Sequence, residues 1–146
     1  KITLNFSTLE LILSSFVTRL ISEDSKIGVI VTCEMSFQNL LKAFDSLAKY
    51  KLGKTQNEKI TKIIKRLNNV EQERNKATHS AYANKENSDE ITRLKVTAKQ
   101  GKGLSITAEP VKIDNLKKVM KDISQLIQDI EVLYKEIYKD KVIKFA

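Results

Sequence analysis

The pattern of apolar residues predicts a mainly α fold: a four-helix bundle with a β-hairpin inserted before its last helix. Three observations carry that prediction. Apolar side chains recur at steps of three and four through four long stretches, the period of one buried helix face. Two short segments late in the chain alternate instead, with glycines between them. The final stretch keeps its seam for three heptads, as bundle and coiled-coil helices do.

Leu9, Ile12, Leu13, Phe16, Val17 and Leu20 mark a first helix over 3–22, ended by the polar run from Ser22 to Lys26. Ile30, Cys33, Phe37, Leu40, Leu41, Phe44 and Ala48 trace a second stripe, stopped by Gly53, with Cys33 in the core. A third helix starts after Thr55 with Ile60, Ile63, Ile64, Leu67 and Val70, beyond which polar residues invade the stripe up to His79. The Asn-rich run from Ala83 to Asp89 reads as a loop. Leu94, Val96 and Ala98, then Leu104, Ile106 and Ala108, give a hairpin over about 91–111, turning at Gly101 and Gly103 and closed by Pro110. Packed on that apolar face, it would expose Arg93, Lys95, Thr97 and Lys99. Asp114 caps the last helix, whose seam runs Leu116, Met120, Ile123, Ile127, Ile130, Tyr134 and Ile137.

At 146 residues, 41% of them hydrophobic, the chain 1–146 reads as one domain able to hold a core without metal or disulfide. The single Cys33 excludes an internal disulfide, and with one histidine no zinc site can be built from Cys and His of one chain. No cofactor motif is present, since Gly101 and Gly103 have neither the spacing nor the context of a phosphate loop. Glu10 and Arg19 interrupt the apolar N-terminal segment, so neither a signal peptide nor a membrane anchor is expected, and a reducing cytoplasm is the expected compartment.

The net charge of +8 is uneven. Residues 1–50 are balanced, whereas 51–113 hold 14 basic and 7 acidic side chains. A basic middle suits a polyanion such as RNA, which releases counterions when Lys and Arg neutralise its phosphates. A lysine-rich solubilising surface has the same composition.

The chemistry concentrates where the third stripe fails, at Glu71-Gln72-Glu73-Arg74-Asn75-Lys76-Ala77-Thr78-His79. Extending the stripe lands on Arg74, Ala77 and Thr78, so a guanidinium stands where apolar side chains stood, and an unpaired buried charge there is costly. Glu71, at i−3, is placed to pair with it; otherwise this helix end borders a cleft or an interface. Asn75 and His79, four apart, lie on one edge of that face, so Arg74, Asn75 and His79 converge within two turns, a trio that fits cleavage of a phosphodiester carrying its own nucleophile, the ribose 2′-hydroxyl. Imidazole exchanges protons near neutral pH, Arg offers a fork of donors to phosphoryl oxygens, and Asn orients without adding charge. Acid and base are both needed, and a two-fold dimer pairing His79 with its mate supplies both.

The run Arg74-Asn75-Lys76-Ala77-Thr78-His79 resembles the R-N-x-x-x-H signature of the HEPN superfamily of α-helical bundles. The resemblance implies a metal-independent endoribonuclease or a toxin derived from one, active as a homodimer with its motifs facing each other, with an antitoxin protein as a further partner. Arg74, Asn75 and His79 would be catalytic. Lys76, Tyr82, Arg93, Lys95 and Lys99 are the candidates for guiding RNA, Tyr82 by lining a groove.

A structural reading of the same residues has Arg74 paired with Glu71 or Glu73 and His79 closing a helix end, where the dipole favours it. The chain would then be a helical-bundle interaction or dimerisation module. Asp129 and Glu131 fall on a solvated helix face, and Tyr134 belongs to packing. A duplex-binding protein rests on charge alone, because no helix-turn-helix pattern is present.

Overall fold

The computed structural model describes residues 2–84, 91–99, 101 and 103–139. Five helices and three strands follow in order: α1 (Ile2–Ile21), α2 (Ser25–Thr32), α3 (Phe37–Lys51), α4 (Lys54–Thr78), β1 (Ala81–Asn84), β2 (Ile91–Lys99), β3 (Gly103–Pro110) and α5 (Ile113–Tyr138). The four long helices form the expected bundle, and the small sheet stands between α4 and α5.

α1 is the central rod, touching α2, α3, α4 and α5. Its predicted stripe is the buried one, with Phe6 added one turn earlier. Phe16 sits against Phe44 of α3 and Tyr134 of α5, with ring centroids 5.0 and 5.3 Å away. Burying side chains of this size stabilises by roughly 1.5–3 kcal/mol each, which makes this aromatic contact a principal tie between the three helices. By length and composition α1 could also cross a membrane. Here its apolar face fills the core.

The second predicted helix is two. α2 is capped by Asp24, whose carboxylate accepts from Lys26 N at 2.9 Å. After a break, Ser36 caps α3 by accepting from Asn39 N at 3.3 Å. Cys33, just past α2, is exposed rather than core, because the break turns its side chain out of the stripe that Phe37 resumes. Gly28 lets α2 lie against α1, where the Thr18 and Thr32 hydroxyls share a buried hydrogen bond of 3.0 Å. Gly53 does not end α3; Leu52 does, and Gly53, at φ −74°, is the N-cap of α4. Asp114 likewise lies inside the first turn of α5, behind Lys112 at the N-cap.

The hairpin is part of a three-stranded antiparallel sheet in the order β1-β2-β3. β1 occupies the start of the stretch expected to be loop; residues 85–89 of that stretch lie outside those described. Leu94 pairs with Ala108, Val96 with Ile106 and Ala98 with Leu104 on one face; Arg93 with Glu109 and Lys95 with Thr107 lie on the other. Gly101 and Gly103 adopt positive φ in the turn, where glycine carries no steric cost. The apolar face is not packed down as expected: Val96, Leu104 and Ile106 are 58%, 68% and 62% exposed, since the strands pack chiefly on one another.

Candidate functional site at the end of α4

α4 buries Ile60, Ile63, Leu67 and Val70, then Glu71. The carboxylate of Glu71 is not the partner of Arg74: it accepts a hydrogen bond from Gln38 of α3. Arg74 is half-buried, with its guanidinium carbon 4.4 Å from the centroid of the Phe6 ring, a cation–π contact that replaces the expected ion pair. One Arg74 nitrogen donates to Asn75 Oδ1 at 3.0 Å. With Oδ1 engaged, the Asn75 amide keeps two N–H donors for another acceptor.

The helix end is stitched by side chains. A helix leaves its last carbonyls without intrahelical partners, and small residues such as Ala77 and Thr78 do little to anchor it. His79 N donates to Asn75 O at 3.0 Å, Ser80 Oγ to Lys76 O at 2.6 Å and Tyr82 Oη to Ala77 O at 2.7 Å. Thr78 Oγ1 reaches back to Arg74 O at 2.9 Å. His79 therefore holds an anchored backbone position while its side chain stays exposed.

Between this end of α4 and the sheet lies an open cleft of about 610 Å³, within the roughly 300–1,000 Å³ range of small-ligand sites. Gln72, Asn75, Lys76, His79 and Ser80 form one wall; Arg93, Lys95, Val96 and Glu109 form the other. Of the expected residues, the fold thus brings together Asn75, Lys76, His79, Arg93 and Lys95. Arg74 stands beside them, on Phe6, and does not line the cleft. Tyr82 is spent on the Ala77 carbonyl and lies outside the lining. Lys99 enters as the backbone partner of Gly103, its side chain lying outside the described part.

Lys76 is paired with Glu73 and Arg93 with Glu109, which leaves Lys95 as the cleft cation without an ion pair among the described residues. Sequence reasoning missed Gln72 and Glu109. The signal for Glu109 was present: a turn centred on Gly101 sets it opposite Arg93. Among the described residues no three His, Cys, Asp or Glu side chains lie together as metal ligands.

Two perturbed groups lie elsewhere. Burial raises the Asp129 carboxyl, but hydrogen bonds from Arg66 and Gln125 and the Arg66 charge outweigh it and hold the group below its ordinary value. Asp129 is thus tied to α4 instead of simply solvated. Burial, then Tyr134, pushes the Tyr138 phenol up to about 12 against the pull of Arg19. No protein-family model, curated protein or solved structure matches the chain.

Proposed function

We propose that the chain is a metal-independent endoribonuclease of the HEPN kind, or a toxin derived from one, whose site is the cleft at the end of α4. The observation that carries this reading is the shared cleft: Asn75 and His79, two of the three motif residues, line it together with Lys76, Arg93 and Lys95. The cations would hold RNA phosphate, the Asn75 amide would donate to a phosphoryl oxygen, and His79 would exchange the proton that strand scission requires. Arg74 supports Asn75 from behind. As a homodimer about the exposed end of α4, two copies would bring a second imidazole to the reaction. An antitoxin protein is the further partner that the resemblance adds. RNA as substrate fits a cytoplasmic protein with no membrane role.

Cleavage of RNA in EDTA by the wild type, His79→Ala and Arg74→Ala tests the reading. Loss of cutting in both variants, with far-UV circular dichroism unchanged, supports it; equal background cutting by all three overturns it. A second reading, an interaction module, is favoured by one observation, the solvent-facing apolar side of the sheet at Val96, Leu104 and Ile106.

A further inference from the structure

Scission of an RNA phosphodiester by its own 2′-hydroxyl needs two proton-transfer groups on opposite sides of the phosphorus, and the chain has a single histidine. The cleft holds another titratable group of the right kind. Glu109 is the one carboxylate among its lining residues, and it comes from the sheet wall while His79 comes from the helix wall. Register explains how it gets there: Glu109 lies directly opposite Arg93 across the β2–β3 ladder, on the polar face, and the two form an ion pair. The pair fixes the position of the carboxylate on the cleft wall. Its side chain is 55% exposed, so Arg93 occupies one side of the carboxylate and leaves room for a hydroxyl to approach. A carboxylate weakens a site built only to hold anions, because it offsets one of three cations there. It does not weaken a site that must also remove a proton.

We infer that Glu109 is the general base of this cleft and His79 its general acid, so that one chain carries a complete proton-transfer pair. The inference rests on the ribonuclease reading and replaces the partner's imidazole as source of the second group. The carboxylate of Glu109 takes the 2′-hydroxyl proton as O2′ bonds to phosphorus. The P–O5′ bond breaks, and His79 imidazolium gives its proton to the departing O5′. The products are a 2′,3′-cyclic phosphate and a free 5′-hydroxyl, with both protons accounted for. Lys95 on the sheet wall and Lys76 on α4 face the same space and neutralise the phosphoryl oxygens, while Arg93 stays paired with Glu109.

The test compares the wild type, His79→Ala, Glu109→Gln and Glu109→Asp on single-stranded RNA in EDTA, following cyclic-phosphate ends across pH. A 2′-O-methylated RNA, which lacks the nucleophile, reads binding separately. Glutamine keeps an acceptor for Arg93 and abolishes the base, so Glu109→Gln is expected to lose roughly 10²- to 10⁴-fold in cleavage rate, bind the methylated RNA no more weakly, and lose the rise of rate on the acid side of the profile. Glu109→Asp should recover part of the rate. If Glu109→Gln cuts like the wild type while His79→Ala is inactive, the role of Glu109 is overturned and the ribonuclease reading survives. If the wild type does not cut RNA, both are overturned.

Discussion

Removing the Lys95 ammonium tests the cleft as an anion site with a magnitude the ion pairs set in advance. For a single strand, the logarithm of affinity falls with the logarithm of salt at a slope of about −0.7 per neutralised phosphate. Lys95 has no ion pair among the described residues, and Lys76 is held only by an exposed i,i+3 contact to Glu73, of the kind that yields easily. Arg93 stays with Glu109. Two engaged cations give a slope of about −1.4, a roughly sevenfold loss of affinity for a methylated tetranucleotide between about 50 and 200 mM salt. Lys95→Ala halves the slope to about −0.7 and the loss to roughly 2.6-fold. Glu109→Gln moves the other way: Arg93 becomes the third cation, the slope steepens to about −2.1 and the loss grows to roughly 18-fold. Fluorescence anisotropy titrations at four salt concentrations measure all three. The short ligand keeps the remaining surface lysines out of the count, and the ordering of the slopes is the decisive quantity. An unchanged slope in Lys95→Ala, or a shallower one in Glu109→Gln, refutes the placement of RNA phosphate in this cleft.

Tyr82→Phe removes the donor to the Ala77 carbonyl and is expected to cost under about 1 kcal/mol in urea unfolding, because the bond is exposed, while lowering RNA cleavage several-fold by loosening His79. Unchanged turnover would show that the anchor is not needed. Gly28→Ala places a Cβ 2.5 Å from Thr18 Cγ2 and 2.6 Å from Thr18 O. The overpacking cost of roughly 1–3 kcal/mol, at its upper end because backbone is struck, exceeds the ~1 kcal/mol that alanine returns as a helix former, so the urea midpoint should fall; a rise would contradict the close approach of α2. Asp129→Asn should destabilise by less than about 1 kcal/mol at pH 7, the Arg66 pair being partly exposed. Since the folded carboxyl lies below its ordinary value of 3.8, that difference is complete above it and closes as pH falls through the folded value. Chemical denaturation of both proteins at pH 7 and in acid reads it, and a gap that widens in acid would reverse the sign.

Long stripes were legible because a helix packed on a core must repeat at three and four: Leu9 to Leu20 are buried as their spacing requires, and so are Ile60, Ile63, Leu67 and Val70, with Ile64 partly buried against the core. The break between α2 and α3 was not, because Ile30, Cys33 and Phe37 keep the three-four step across a gap that is no longer helical. The caps were the better signal there, Asp24 before α2 and Ser36 before α3. β1 escaped notice because Ala81-Tyr82-Ala83-Asn84 is short and has no β-branched residue. Alternation located β2 and β3 and their two faces, but period alone does not say whether a face is covered, and how the sheet stands off the bundle decides the exposure of Val96, Leu104 and Ile106. For the site, spacing put Asn75 and His79 on one edge of α4, while the opposite wall depended on how the sheet returns to that edge.

The geometry also changes what each motif residue is asked to do. Arg74 continues the buried stripe of α4, and it can do so without a carboxylate because a guanidinium is planar and weakly hydrated enough to lie on the Phe6 ring. Phe6 is itself locked in the core between α1 and α3, with its centroid 4.8 Å from that of Phe37. A line of rigid contacts therefore runs from the core through Phe6 and Arg74 to the Asn75 amide, and from the Asn75 carbonyl to the His79 backbone. Lysine at 74 would keep the charge and lose both the stacking plane and the directed donor, so charge conservation alone would not preserve the site. The arginine holds the asparagine, and on the proposed reading contact with phosphate falls to the cleft cations, which stand on both walls, Lys76 on α4 and Lys95 on the sheet.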